Sequence, residues 1–310
     1  MISSIFGKTK PINFIIILTF LFVFYWVTVY FIFSTPFITE HLLGYLPAVS
    51  ALLINVLLID FIIKRNKITG SNSFTILYFA LLIIVFPEIL MDQNSIYCTF
   101  FILLAVRRLL SIKSLKDVKR KIFDATLWIL ISSLFYDLAL LYLVLIYVTI
   151  YIYDPKNIRN WLVPIIAIIT FSILLLMITT LIGQKDFILN HYQFSVKITW
   201  EYILEWKSSL KVILYIPTAL TLIIFTFIKL ASSGQGRINT MRLVTVFFFV
   251  GLIITIIKST HEIAPILITF FATSVFMTNY IENIKKPKIK EVILISSIIV
   301  PLIVLLVRYT

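Results

Sequence analysis

Lys258, His261 and Glu262 lie within five residues, KSTHE, where two apolar runs meet. A tight turn asks for Gly, Asn or Ser, so a cation, an imidazole and a carboxylate at one turn point to chemistry. Lysine neutralises a phosphate as a point charge. His261 can add a hydrogen bond, and Glu262 can orient His261. Other carboxylates stand at similar breaks: Glu40 beside His41, Glu88 in FPEILMDQN with Asp92 four residues on, and Asp137 between apolar neighbours. A carboxylate that reaches an acceptor hydroxyl is a general base. Glu40, Asp92 and Glu88 are the candidates for that role. Lys258, His261, Glu262, His41 and Asp137 are the candidates for holding a phosphate or substrate. If a helix continues past Pro87, Glu88 and Asp92 share one face. No HExxH-type spacing occurs, so no metal ligand is assigned and a divalent cation stays an open cofactor. The competing reading is plainer: a polar turn whose Lys258 and Glu262 pair, and wet acids at helix ends.

These side chains need elements to position them. The 310 residues are 61% hydrophobic and 13% charged, with a mean hydropathy of +1.06. A soluble domain carries roughly a quarter charged residues. Apolar runs of about 20 residues recur from end to end, each a membrane-span candidate. The expected fold is all-α: a polytopic transmembrane bundle of about eleven helices (9–11), forming one integral membrane domain over 1–310. Helices are expected at 12–33, 46–63, 74–90, 95–110, 123–136, 138–153, 161–182, 211–229, 243–258, 263–283 and 291–308. The pair 123–136 and 138–153, joined at Tyr136-Asp137, reads as two spans or a re-entrant hairpin. The first run is too long for a signal-peptide core and is expected to stay as a helix.

The net charge is +13, and its distribution is one-sided. All 27 cations but Lys185, Lys197, Lys207, Lys211, Lys258 and Arg308 fall in alternate loops that share a side with the start of the chain. The positive-inside rule then gives N-inside, C-outside in a bacterial inner membrane, and explains the charge without nucleic acid. All three histidines and eight of the 14 acids fall on the other, cation-poor side. A carboxylate near hydrocarbon is costly and usually faces a cavity or a partner. The inner acids have plain neighbours, such as Asp60 four residues before Lys64.

Segment 107–122, RRLLSIKSLKDVKRKI, carries Arg107, Arg108, Lys113, Lys116, Lys119, Arg120 and Lys121, with apolar residues at amphipathic-helix spacing. It is expected to lie on the inner leaflet with its cations on anionic headgroups, so membrane lipids are expected partners. The longest outer loop is 183–210. Within it HYQFSVKITW alternates with a strand period and reads as an extended surface segment. WEYILEW (200–206) places aromatics at interface depth. Cys98 stands alone, so there is no disulfide framework. Neither a Walker motif nor GxGxxG is present.

Two resemblances follow. Residues 101–176 run FILLAVRRLLSI, a basic stretch, then DATLWILISSLFYDLALLYLVLIYVTIYIYDPKNIRNWLVPIIAIITFSILLL. This layout resembles GT-C type glycosyltransferases. The resemblance implies transfer of a sugar from a polyprenyl-phosphate carrier at the extracytoplasmic face. It puts Glu40, Glu88 and Asp92 at the positions of the family's acids. The first outer loop is shorter than in that family, and no large C-terminal soluble domain follows. The whole chain, with MISSIFGKTKPIN, FPE and LFYDLALLYL, resembles an uncharacterised family of bacterial polytopic inner-membrane proteins. The alternatives are a non-catalytic subunit of a cell-envelope assembly or secretion complex, with an envelope protein partner, and a lipid or solute transporter or flippase. The last expects broken helices or repeated halves. Pro164, Pro217 and Pro265 sit near helix starts, where proline is tolerated, and no repeat is visible.

Overall fold

The computed structural model describes residues 2–36, 39–184, 186–194, 206–231, 234–258 and 265–309, with backbone alone at 39–42, 206–210 and 307–309. Among them are thirteen α-helices and no strand. They are α1 (Ile2–Phe6), α2 (Pro11–Val27, continued by a π turn at Thr28–Ile32), α3 (Thr39–Asn66), α4 (Phe74–Val85), α5 (Gln93–Leu110), α6 (Val118–Ser132), α7 (Leu143–Tyr153), α8 (Ile158–Ile182), α9 (Phe187–His191), α10 (Trp206–Leu230), α11 (Gln235–Ile257), α12 (Leu267–Glu282) and α13 (Pro287–Tyr309). Short 3₁₀ turns at Pro87–Leu90, Ser111–Ser114 and Asp137–Tyr142 lead into or out of α5 and α7.

Seven of these segments, the spans built on α2, α3, α5, α8, α10, α11 and α13, are long and apolar enough to cross a membrane. At 20–25 residues they extend about 30–38 Å, enough for a hydrocarbon core of about 30 Å. The chain is therefore an all-helical protein of membrane-spanning character. Helices that are apolar all round belong in an interior, and α4 and α12 occupy it. Nearly every side chain on both is buried, and Thr75 and Thr278 join them by a hydrogen bond of 2.9 Å. Around them α13 packs on α4, α10 and α11 pack on α12, α3 on α5, α5 on α6 and α6 on α8. The rim helices α8 and α13 leave most of their apolar side chains exposed, as lipid-facing helices do.

Each of the eleven expected segments contains a helix among the described residues, but seven candidate spans replace the expected nine to eleven: 74–90 breaks at Phe86, and α4, α6, α7 and α12 fall short of a membrane-spanning length; α1 and α9, of five residues each, are additional. Segment 107–122 differs from its expectation. It is the end of α5, a 3₁₀ turn and the start of α6, broken where Leu115 (φ 53°) and Asp117 (φ 49°) adopt left-handed backbone. Leu109, Ile112 and Ile122 are buried in the bundle, while Leu115 is 60% exposed, so neighbouring helices cover part of its apolar face. Several cations are likewise engaged by protein. Arg108 pairs with Asp124 at 3.0 Å, Lys113 donates to the Asn66 carbonyl at 3.0 Å, and Lys121 donates to the Ser111 carbonyl at 2.8 Å. Lys116, Lys119 and Arg120 are exposed.

The bundle has two polar ends. At the cation-rich end Glu282 accepts from the Gly70 amide at 2.7 Å and from Asn72 at 2.5 Å. There Glu291 accepts from the Ile2 and Ser3 amides at 2.6 and 3.1 Å. The start of α13 therefore lies beside α1, and α13 runs from there to the opposite end.

Candidate functional site at the cation-poor end

Pro87 stops α4. Phe86 leaves helical backbone (φ −122°, ψ 63°), and Glu88 falls in the 3₁₀ turn that follows. The helix does not continue through Pro87, so Glu88 and Asp92 do not share a face. Glu88 turns towards α10 and pairs with Lys211 at 2.9 and 3.1 Å. Lys211 also donates to the Val85 carbonyl at 3.2 Å and lies 5.3 Å from the centre of the Phe86 ring.

Asp92 is the N-cap of α5, and its Oδ1 accepts from the Ser95 amide at 3.2 Å. The D-x-x-S spacing favours this, since Asp is among the preferred residues for filling a first-turn donor. Its other oxygen accepts from the Tyr136 hydroxyl. Burial pushes the Asp92 carboxyl above its ordinary range, while Tyr136 and the Ser95 amide pull it back. Burial, followed by the charge of Asp92, pushes Tyr136 upward too.

Asp137 follows Tyr136 in the turn between α6 and α7. It is buried, accepts from the Leu138 amide at 2.9 Å, and pairs with Lys258 through Oδ1 at 2.9 Å and Oδ2 at 3.2 Å. Lys258 closes α11. Tyr136, which bonds to Asp92, and Asp137, which pairs with Lys258, are consecutive in this turn, so the two contacts lie on one stretch of backbone. Beside it, His191 Nε2 meets the Ser133 carbonyl at 2.7 Å, and the Ser133 and Tyr192 hydroxyls meet at 2.9 Å.

This layer stands well apart from the basic end. Lys211 is 18 residues from Lys229 on α10, and Lys258 is 18 from Thr240 on α11, about 27 Å in each case. That separation matches the opposite edge of the hydrocarbon.

The structure therefore joins Asp92 to Tyr136, Asp137 to Lys258 and Glu88 to Lys211, in three separate pairs. Glu40 and His41 lie in the first turn of α3, where only backbone is described. His261 and Glu262, with residues 195–200 of the extended stretch and all of WEYILEW but Trp206, lie outside the described residues. Tyr136, Lys211, His191, Ser133 and Tyr192 were not singled out by sequence. Tyr136 gives no periodic signal, and its role depends on a fold that returns it to Asp92. Lys211 carries no sequence signal beyond its charge. Among the described residues no three His, Cys, Asp or Glu gather in a way that could hold a metal ion.

The model of a family of unknown function (DUF6427) matches residues 6–309, and the chain belongs to that family. No curated protein and no solved structure matches it.

Proposed function

We propose that this DUF6427 member is a multi-pass protein of the bacterial inner membrane, N-inside and C-outside. In this reading it is a lipid-carrier-dependent glycosyltransferase with a GT-C-like arrangement, acting at the extracytoplasmic face. The orientation rests on the cation bias. The activity rests on one observation: a buried carboxylate bearing a phenol, Asp92 with Tyr136, and a carboxylate–cation pair, Asp137 with Lys258, are held at the same turn, by consecutive residues, at the cation-poor end.

The chemistry follows from those groups. Asp92 takes the proton of an acceptor hydroxyl. The acceptor oxygen bonds to the anomeric carbon as the bond from that carbon to the carrier phosphate breaks. The phosphate leaves with the electron pair and is met by Lys258, which exchanges Asp137 for it. Glu40, His41, His261 and Glu262 are further candidates for holding the donor. A raised Asp92 pKa suits a base that must be neutral after the transfer.

The test is complementation. A strain lacking the protein accumulates a lipid-linked sugar; wild-type protein clears it, Asp92→Asn does not, and Asp92→Glu clears part of it. Full clearance by Asp92→Asn at equal protein level would remove the reading.

A specific observation favours a second reading, a non-catalytic subunit of an envelope assembly. Glu88 and Asp137 are both held in ion pairs, an arrangement that also serves to fix helices. That reading expects Asp92→Asn to complement fully and a partner protein to copurify.

A further inference from the structure

At the cation-rich end, α10, α11 and α12 enclose a polar pocket of about 240 Å³. That is below the roughly 300–1,000 Å³ of most small-molecule sites and suits a headgroup better than a whole ligand. Thr226, Leu230 and Asn279 are its buried members, and Lys229, Arg237 and Asn283 are exposed at its rim. Two cations, Lys229 and Arg237, and one acid, Glu282, line it, which leaves one net positive charge.

These three groups are engaged to different degrees. Glu282 is turned to protein: its Oε1 accepts from the Gly70 amide and from Asn72, and its Oε2 faces Arg237 at 4.0 Å. Arg237 donates from Nη2 to Asn279 Oδ1 at 3.1 Å, and a guanidinium has five N–H donors. Lys229 has neither an ion pair nor a hydrogen bond among the described residues; its ammonium lies 5.6 Å from the centre of the Phe225 ring. An anion arriving between Lys229 and Arg237 therefore breaks no existing bond. The last carbonyls of α12 do not stand against it, because the Asn283 amide meets those of Asn279 and Tyr280 at 3.3 and 3.2 Å and its side chain meets Asn279 again at 2.7 Å.

Charge and place select the anion. One net positive charge complements a monoanion. A phosphodiester carries one charge, whereas a phosphate monoester carries about 1.5–2 at neutral pH and would turn the excess on Glu282. An arginine fork and a lysine ammonium are both common partners of phosphate oxygens. Lys229 and Leu230 end one candidate span, and Arg237 is the third residue of the next. The pocket thus lies where hydrocarbon gives way to headgroups.

We infer that this pocket binds the phosphodiester of a membrane glycerophospholipid, with the phosphate between Lys229 and Arg237. The chains lie in the bilayer beside α10, whose Ile224 and Ile228 are exposed. The site is independent of the transferase reading, because it uses neither Asp92 nor Lys258 and sits at the other end of the bundle.

The full chain is reconstituted in nanodiscs holding equal parts phosphatidylglycerol, phosphatidic acid and a galactosyl diacylglycerol with the same chains, then extracted and examined by native mass spectrometry. One retained phosphatidylglycerol is expected, enriched over phosphatidic acid and about tenfold over the phosphate-free lipid, which corresponds to about 1.4 kcal/mol. Lys229→Gln with Arg237→Gln is expected to abolish that retention. Lys116→Gln with Lys119→Gln, an equal loss of charge at exposed lysines between α5 and α6, is expected to keep it. Lys229→Gln alone breaks no ion pair or hydrogen bond and is expected to lower the enrichment about threefold, as loss of one exposed ion pair does; this arm carries the test should the double variant fail to fold. Retention of no lipid, equal retention of the galactolipid, preference for phosphatidic acid, unchanged retention in the Lys229 and Arg237 variants, or an equal loss in the Lys116 and Lys119 variant overturns the assignment. So does displacement of the lipid by millimolar glycerophosphoglycerol, the same diester without chains, which would make the pocket a site for a soluble phosphate.

Discussion

Asp137 is buried with one cation on it, and its neighbours in the turn are apolar. Removing Lys258 leaves that carboxylate charged in a poor solvent, which costs about 3–5 kcal/mol for a buried pair broken on one side. Lys258→Gln is therefore expected to lower the thermal midpoint in detergent, and Asp137→Asn added to it is expected to recover most of the loss. A double-mutant cycle reads the coupling directly; simple additivity would show that the pair is a bystander. Asp92 gives the opposite sign. Burial raises its pKa, so the folded chain holds the proton more tightly than the unfolded one. That contribution to stability is complete below the unfolded value and is lost as pH rises through the folded value. Asp92→Asn, an imitation of the protonated form, is expected to melt above wild type at neutral pH, with the gap closing near pH 4, about the ordinary carboxylate range. A variant that melts lower at every pH would contradict this. The sequence made Asp92, Asp137 and Lys258 visible because each interrupts an apolar run. It hid their partners: Tyr136 and Lys211 are ordinary interface residues until the chain folds back on itself.

At the scale of elements, apolar periodicity placed every long helix, because a span of 20 or more apolar residues has few other solutions. It missed the break within 107–122 for a physical reason. An amphipathic pattern states that one face is apolar and does not say whether lipid or protein covers it. Here Leu115 and Asp117 turn the chain so that neighbouring helices cover Leu109, Ile112 and Ile122, while Leu115 stays exposed. Short helices at the centre were legible as apolar runs, but not as the core. The packing of α11 on α12 is tight at Gly251, where an added Cβ would lie 2.8 Å from the Tyr142 hydroxyl and 3.0 Å from a Thr269 methyl. Gly251→Ala is expected to cost about 1–3 kcal/mol, as overpacking does. Tyr142→Phe in the same chain is expected to return part of it by removing the nearer atom. Thermal unfolding of the single and double variants measures both, and a neutral Gly251→Ala would mean that the helices part freely.

For the whole molecule, polarity is divided between two ends about 27 Å apart. One end has most of the cations and the other the buried carboxylate–cation pairs. The proposed orientation predicts that a fluorescent-protein fusion after Asn66 reports the cytoplasm and that alkaline phosphatase joined after Ile182 is active outside. The reverse pattern would move these pairs to the cytoplasm and remove the carrier reading with it. The link between Glu291 and the Ile2 and Ser3 amides bears on biosynthesis. The two partners are 289 residues apart in the chain. At about 5–20 residues per second, α1 waits roughly 15–60 s after its own synthesis before its carboxylate exists. Through that interval the first segment has not docked, and a chain cut short before Glu291 would leave that segment without its anchor.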